Sequence, residues 1–152
     1  VDNAQTPDAL ETSLRTLRDL TRGRLICVFG AAGNRQRKLR PLLGEVVAKY
    51  ADVSIITDNN PRNENPTRIA EGILRGMQSA VDVIVELDRA SAIENAIASA
   101  SDEDCVLIAG RGHESWQIIG KRRLPFDDRE VARNCLCGAS LGWGGDKGQR
   151  VA

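Results

Sequence analysis

Apolar and polar positions fall in blocks along this chain, and the blocks follow two different periods. Short unbroken apolar runs are Leu25-Ile26-Cys27-Val28-Phe29, Val53-Ser54-Ile55-Ile56-Thr57, Val83-Ile84-Val85 and Cys105-Val106-Leu107-Ile108-Ala109. Their length and β-branched content are those of strands buried on both faces. Between them apolar residues recur at helical spacing: Leu10, Leu14 and Leu17, then Leu42 to Tyr50, then Ile69, Ile73 and Met77, then Ile93 and Ile97. Thr6-Pro7-Asp8 predicts the start of the first helix, with Thr as N-cap, Pro in the first turn and Asp favoured by the dipole. Arg22-Gly23 supplies its stop, Asn65-Pro66 and Asp88 open further helices, and Asp127-Asp128 open a last one through Val131 and Cys135. Trp116 to Ile119 and Arg122 to Phe126 flank Gly120-Lys121, the pattern of an antiparallel hairpin.

Strands that alternate with helices predict an α/β domain: right-handed crossovers, a mainly parallel sheet, helices on both faces and a hairpin near the C-terminus. The predicted domain covers residues 1–137 and contains no internal repeat. Residues 138–152 hold five glycines and little apolar content, which predicts a disordered tail.

Composition narrows the function. The 152 residues carry 21 basic and 21 acidic side chains, which gives no electrostatic case for nucleic acid or an anionic membrane surface. Two Trp, one Tyr and two Phe leave little for base stacking. No apolar run approaches the roughly 20 residues that span a bilayer. The opening residues carry no signal-peptide pattern, and the missing initiator Met suggests a processed chain or an excised domain. Of four cysteines, Cys27 and Cys105 read as small buried hydrophobes. Cys135-Leu136-Cys137 lacks zinc-site spacing, and the single His113 cannot complete a ligand set. No metal site is expected, and the expected compartment is reducing and cytoplasmic.

In a parallel sheet the loops leaving the carboxyl ends of the strands share one rim. Here those loops are Gly30-Ala31-Ala32-Gly33-Asn34-Arg35, the turn Thr57-Asp58-Asn59-Asn60-Pro61-Arg62, and Gly110-Arg111-Gly112-His113-Glu114. They bring Arg35, Asn60, Arg62, His113 and Glu114 toward one cleft suited to a zwitterion. Arginines there grip a carboxylate through paired charge-assisted bonds, and Glu114 accepts from an ammonium. The plainer alternatives are a merely structural Asn-Pro turn, a Glu114–Arg111 pair on a solvated surface, and a His113 that caps a strand end. The first loop is a poor match to a dinucleotide fingerprint, no Walker loop occurs, and no nucleophile with its base is legible, so no catalytic residue is assigned.

Four segments together carry a resemblance: Asp2-Asn3-Ala4-Gln5-Thr6-Pro7-Asp8-Ala9-Leu10, Val28-Phe29-Gly30 through Arg40-Pro41, Asn59-Asn60-Pro61-Arg62, and Gly110-Arg111-Gly112-His113-Glu114 with Gln117. From about Asp2 to Leu136 the chain resembles the C-terminal domain of the Mur ligases. The resemblance is strongest to the branch, commonly called MurE, that adds meso-diaminopimelate to UDP-N-acetylmuramoyl-dipeptide. It implies a Rossmann-like fold and a cytoplasmic three-domain enzyme of peptidoglycan synthesis. ATP with Mg²⁺, bound mainly by domains outside this chain, phosphorylates a carboxylate, and the amine of the incoming amino acid attacks the acyl phosphate. By the same resemblance, this domain is expected to work against the central ATPase domain and to hold the amino acid. By position the contacts fall on Arg35, Asn60, Arg62, Gly110 and Glu114, with Arg62 on the distal carboxylate of diaminopimelate. Asp2, Gln5 and Asn34 take the nucleotide-facing positions.

The departures lie mostly on the nucleotide side. Where the family reads Asp-Tyr-Ala-His-Thr-Pro, this chain has Asn3 and Gln5. Where it reads Cys-Gly-Gly-Asp-Arg-Asp, this chain has Ala31 to Gln36 without either acid, and Leu39 replaces a nearby Lys. Asn59 stands for the Asp of the turn and Arg111 for the Lys of the last loop. An inactive Mur-ligase-like scaffold kept for protein contacts is therefore the alternative.

Overall fold

The computed structural model describes residues 1–78, 80, 82–138 and 149–151. Thr6 caps the first helix, α1 (Pro7–Leu20), by accepting from the Ala9 amide, and Pro7 occupies its first turn. The four apolar runs become β1 (Leu25–Phe29), β2 (Val53–Ile56), β3 (Val83–Val85) and β4 (Cys105–Ile108), each within one residue of its predicted bounds. Between them lie α2 (Leu39–Tyr50), α3 (Pro66–Leu74) and α4 (Arg89–Ser99), the last two capped by Asn65 and Asp88. The hairpin is β5 (Trp116–Ile119) with β6 (Arg122–Pro125), and α5 (Asp128–Leu136) follows, capped by Asp127. Gln149–Val151 forms β7, whose backbone pairs antiparallel with β3. The rest of the glycine-rich stretch predicted to be a tail, 139–148 and 152, lies outside the described residues.

The large sheet has the order β4-β1-β2-β3-β7, and β1 to β4 run parallel. Strand alternation sorts the core into two layers. Leu25, Cys27 and Phe29 of β1 pack with Leu10 and Leu14 of α1, Leu43 and Val47 of α2, and Ile69 and Ile73 of α3. Ile26 and Val28 face the other way, onto Ala92, Ile93 and Ala96 of α4 and Val131 of α5. Helices therefore cover both faces, as expected. Cys27 is fully buried, which pushes its thiol well above the ordinary range. Cys105 departs from the expectation: it sits on the outermost strand and is only half-buried. Among the described residues, no helix is long and apolar enough to cross a membrane.

The chain winds from β1 outward through β2 to β3, then α4 carries it back across the sheet to β4 on the far side of β1. The order reverses there, and open α/β sheets bind ligands outside the carboxyl ends at such a reversal.

Candidate functional site

A cleft of about 790 Å³ opens at that end of the sheet. Its walls come from Gly30 to Gln36 after β1, Asn59 to Arg62 after β2, Glu114 after β4, and Trp116 at the start of β5. The loops fit because the residues at their points of contact are small. A Cβ at Gly33 would lie 1.8 Å from the carbonyl oxygen of Pro61, so the first loop packs directly on the backbone of the second. Gly110 has φ of 98°, which β-carbon-bearing residues rarely adopt, and a Cβ there would meet Asn59 Nδ2 at 2.8 Å.

Asn59 and Asn60 follow a buried strand and are themselves buried. Asn59 Nδ2 donates to the Gly110 carbonyl at 3.1 Å, and the Asn59 carbonyl accepts from Gln117 Nε2 at 2.8 Å. Asn60 Oδ1 accepts from the Ile118 amide at 2.8 Å and from Arg111 at 3.1 Å, while its Nδ2 donates to Glu114 at 3.2 Å. The Asn-Asn turn thus ties the β2 loop to the β4 loop and to β5. Arg62 completes the tie: its amide donates to the Ile118 carbonyl at 3.1 Å and its carbonyl accepts from the Gly120 amide at 2.7 Å. Its φ of 55° lies in the left-handed region, held there by the hairpin on both sides.

The Arg62 side chain lines the cleft, and its buried Nε has no hydrogen-bond partner among the described residues. A buried guanidinium nitrogen without an acceptor is costly unless a ligand supplies one. Arg35 and Asn34 are exposed where the β1 loop lines the cleft, Asn34 with φ of 56°. Arg40 also reaches the cleft, yet its charge is committed: it grips Glu64 through two bonds of 2.8 and 2.7 Å. That grip, with the Asn34 amide as a further donor, holds the Glu64 carboxyl down at about 2. Arg62 and Arg35 are left to meet an anion. Trp116 adds an apolar wall, with the Arg123 guanidinium stacked 3.6 Å from its ring centre.

Of the residues expected at the site, the cleft brings together Arg35, Asn60, Arg62 and Glu114, and also Gln5 and Asn34. Three stand elsewhere. Gly110 lies behind the wall, its amide donating to the Asp2 carbonyl at 3.0 Å. The Asp2 carboxylate does not line the cleft, because it accepts from the Ala4 amide at 3.0 Å and from Ser13 Oγ at 2.8 Å. His113 is exposed on the surface and outside the cleft lining.

Sequence reasoning missed the layer beneath. Arg111 is no surface partner of Glu114: it is completely buried, with its Nη1 3.8 Å from Glu114 Oε2. It donates to the carbonyls of Asn59 at 3.3 Å, Phe126 at 3.2 Å and Trp116, and to Asn60 Oδ1. Arg89 and Asp128 are fully buried as well, paired through two bonds of 2.8 Å each. Arg89 also donates to the carbonyls of Asp58 at 3.2 Å and Ala109 at 2.9 Å, the chain positions just past β2 and β4. A signal was present. Arg89 precedes Ala92, Ile93 and Ala96 at three, four and seven residues, which places a charge on the buried stripe of α4.

Residues 1–112 match the family described as Mur ligase, glutamate ligase domain. The UDP-N-acetylmuramoyl-L-alanyl-D-glutamate–2,6-diaminopimelate ligase of Synechococcus elongatus is 52% identical over 136 residues, 90% of this chain and 27% of that protein. The enzyme of the same name from Aquifex aeolicus is 49% identical over 138 residues, 91% of this chain and 29% of that protein. A solved structure of a ligase of this name superposes with a TM-score of 0.78 at 36% identity, covering 89% of this chain and 28% of that one. The chain spans little more than a quarter of the length of these relatives. With the doubly wound sheet and the loop cleft at its reversal point, these matches show that the chain belongs to the Mur ligase family, as its glutamate ligase domain.

Proposed function

We propose that this chain is the amino-acid-binding domain of a cytoplasmic ATP-dependent ligase that adds meso-diaminopimelate to UDP-N-acetylmuramoyl-dipeptide in peptidoglycan synthesis. The observation that carries the reading is the buried Nε of Arg62, without a hydrogen-bond partner among the described residues, in the wall of a cleft that also holds Asn60 and Glu114. A carboxylate supplies the missing acceptor, and a guanidinium presents parallel donors that match it. Glu114, already oriented by Asn60 Nδ2, accepts from an ammonium at the other end of the ligand. Diaminopimelate carries both kinds of group at both ends, and lysine lacks the distal carboxylate. The relatives named for the diaminopimelate reaction support this choice.

In this reading ATP and Mg²⁺ are held mainly by a central ATPase domain, and ATP supplies the activated carboxylate that the bound amine attacks. The residues present do not make that site on their own. No group of His, Cys, Asp or Glu among the described residues is arranged to hold a metal, and Gln5 and Asn34 offer only neutral amides at the lip. The contribution assigned to this chain is to hold the amino acid, by Arg35, Asn60, Arg62 and Glu114, and to orient its amine.

Calorimetric titration of meso-diaminopimelate and of lysine tests the reading. Arg62→Ala removes a charge-assisted interaction of about 1.5–3 kcal/mol, so affinity for diaminopimelate falls by about ten- to over a hundredfold. Affinity for lysine falls far less, and Arg62→Lys gives an intermediate loss because it restores charge without the fork. Equal losses for the two ligands, or no diaminopimelate binding by the parent chain, would reject the assignment.

A further inference from the structure

We propose that Asp128, in the first turn of α5, is a positioning residue for the amino-acid end of the cleft and acts through Arg111 on Glu114 and Asn60. The proposal rests on the ligand reading given above and adds a residue outside the cleft lining, one side chain removed from it. Three charged side chains are completely buried together: the guanidiniums of Arg89 and Arg111 and the carboxylate of Asp128. Asp128 satisfies Arg89 with two parallel bonds, and its Oδ1 also lies 3.7 Å from Arg111 Nε. Two positive charges share one negative charge, and burial disfavours the excess. Burial, with the Arg89 charge next, accordingly lowers the pKa of Arg111.

The nearest further carboxylate is Glu114, 3.8 Å from the Nη1 edge of the same guanidinium, with its side chain 21% exposed. Glu114 therefore has two roles: counter-ion to a buried cation and wall of the cleft. Asp128 Oδ1 faces the Nε edge of Arg111 at 3.7 Å, beyond hydrogen-bond reach, while Nη1 donates to Asn60 Oδ1 and the Asn59 carbonyl and lies 3.8 Å from Glu114. The carboxylate at the Nε edge limits how strongly the Nη1 edge draws on Glu114. Without its charge, Arg111 pulls on Glu114 alone, at the expense of the Asn60 Nδ2 bond and of any ammonium in the cleft. Arg89 reinforces the placement, since it holds the Asp58 and Ala109 carbonyls on either side of β1 while bound to the same carboxylate.

The test uses the 152-residue chain with Asp128→Asn, and with Arg111→Lys as a second variant in case the first does not fold. Amide hydrogen exchange is read at Ile118, which donates to Asn60 Oδ1, against the amides of β1 and β2. Affinity for meso-diaminopimelate and for lysine is read by calorimetry. Exchange at Ile118 should accelerate at least tenfold while β1 and β2 change less than twofold. Affinity should fall about tenfold for both ligands equally, because both carry the ammonium that Glu114 receives. A folded variant with Ile118 exchange and affinity unchanged overturns the proposal. So does a loss of protection spread evenly over β1 and β2, or unfolding of both variants, since each marks a purely structural role. A parent chain that binds neither ligand, with Ile118 still responding, leaves the positioning intact and removes the ligand reading instead.

Discussion

The sheet is held by different forces at its middle and at its carboxyl end. Around β1 the contacts are alkyl on alkyl: Ile26, Val28 and Ile55 meet Ala92, Ile93 and Ala96 with no polar group required. Beyond the strand ends, the buried side chains of Arg89, Arg111, Asp128, Asn59 and Asn60 do the work instead. Burial of apolar area is non-directional, so the middle tolerates small changes of shape at modest cost. The carboxyl end depends on bonds with fixed partners, where removing one leaves others unsatisfied in a dry environment. The cleft is therefore built on the less forgiving half of the molecule, which fits a site whose loops must keep their spacing.

The largest expected effect breaks the polar half. Arg89→Ala leaves Asp128 charged and the Asp58 and Ala109 carbonyls without their donor, and it costs about 3–5 kcal/mol of stability in a denaturant titration. A loss under 1 kcal/mol would show that the network contributes little, and the contrast between the two halves would collapse.

A smaller effect comes from Asp58, which sits just past β2. Burial raises its pKa to about 6, against the pull of Arg89 and with some help from Asp88. The unfolded chain ionises this group near pH 4, so between about pH 4 and 6 the folded state binds more protons. Its contribution to stability is present at the acid end of that window and is lost as pH rises through 6. Thermal melts of the parent and of Asp58→Asn across pH 4–7 should converge at the acid end and separate by several degrees above pH 6, with the parent lower. Parallel curves would mean that Asp58 is better solvated than its burial implies.

The smallest effect sharpens the comparison from the apolar side. Ile26→Val removes one methylene from the face packed on α4, at about 0.5–1.5 kcal/mol. That corresponds to a fall of a few degrees in melting temperature, with ligand affinity unchanged. An affinity change at Ile26→Val as large as at Arg62→Ala would mean that the cleft is governed by the core after all.

Much of this architecture was legible one residue at a time. The strands β1 to β4 announce themselves because a run buried on both faces has to be apolar throughout, and Thr6, Asn65, Asp88 and Asp127 announce helix starts because free amides there need an oxygen. The rim was legible for the same local reason, since Gly, Asn, Pro and Arg cluster where strands end, and so Arg35, Asn60, Arg62 and Glu114 were placed together. Gly110 and Asp2 were carried along by their motifs, but both lie behind the cleft wall, bonded to each other's backbone.

Only the folded molecule decided the layer that supports the rim. Arg89, Arg111 and Asp128 are separated by 17 to 39 positions in sequence, and although Arg89 falls on the apolar stripe of its helix, nothing local pairs the three. Their burial follows from α4 and α5 packing on one face of the sheet just where the β4 loop turns back over it. A buried charge is tolerable only beside its counter-charge, and which residues become neighbours is a property of the strand order, β4 beside β1 rather than beside β3. Local chemistry determined the elements and the residues at their ends, while topology determined which of those residues share a dielectric and hence hold the site in place.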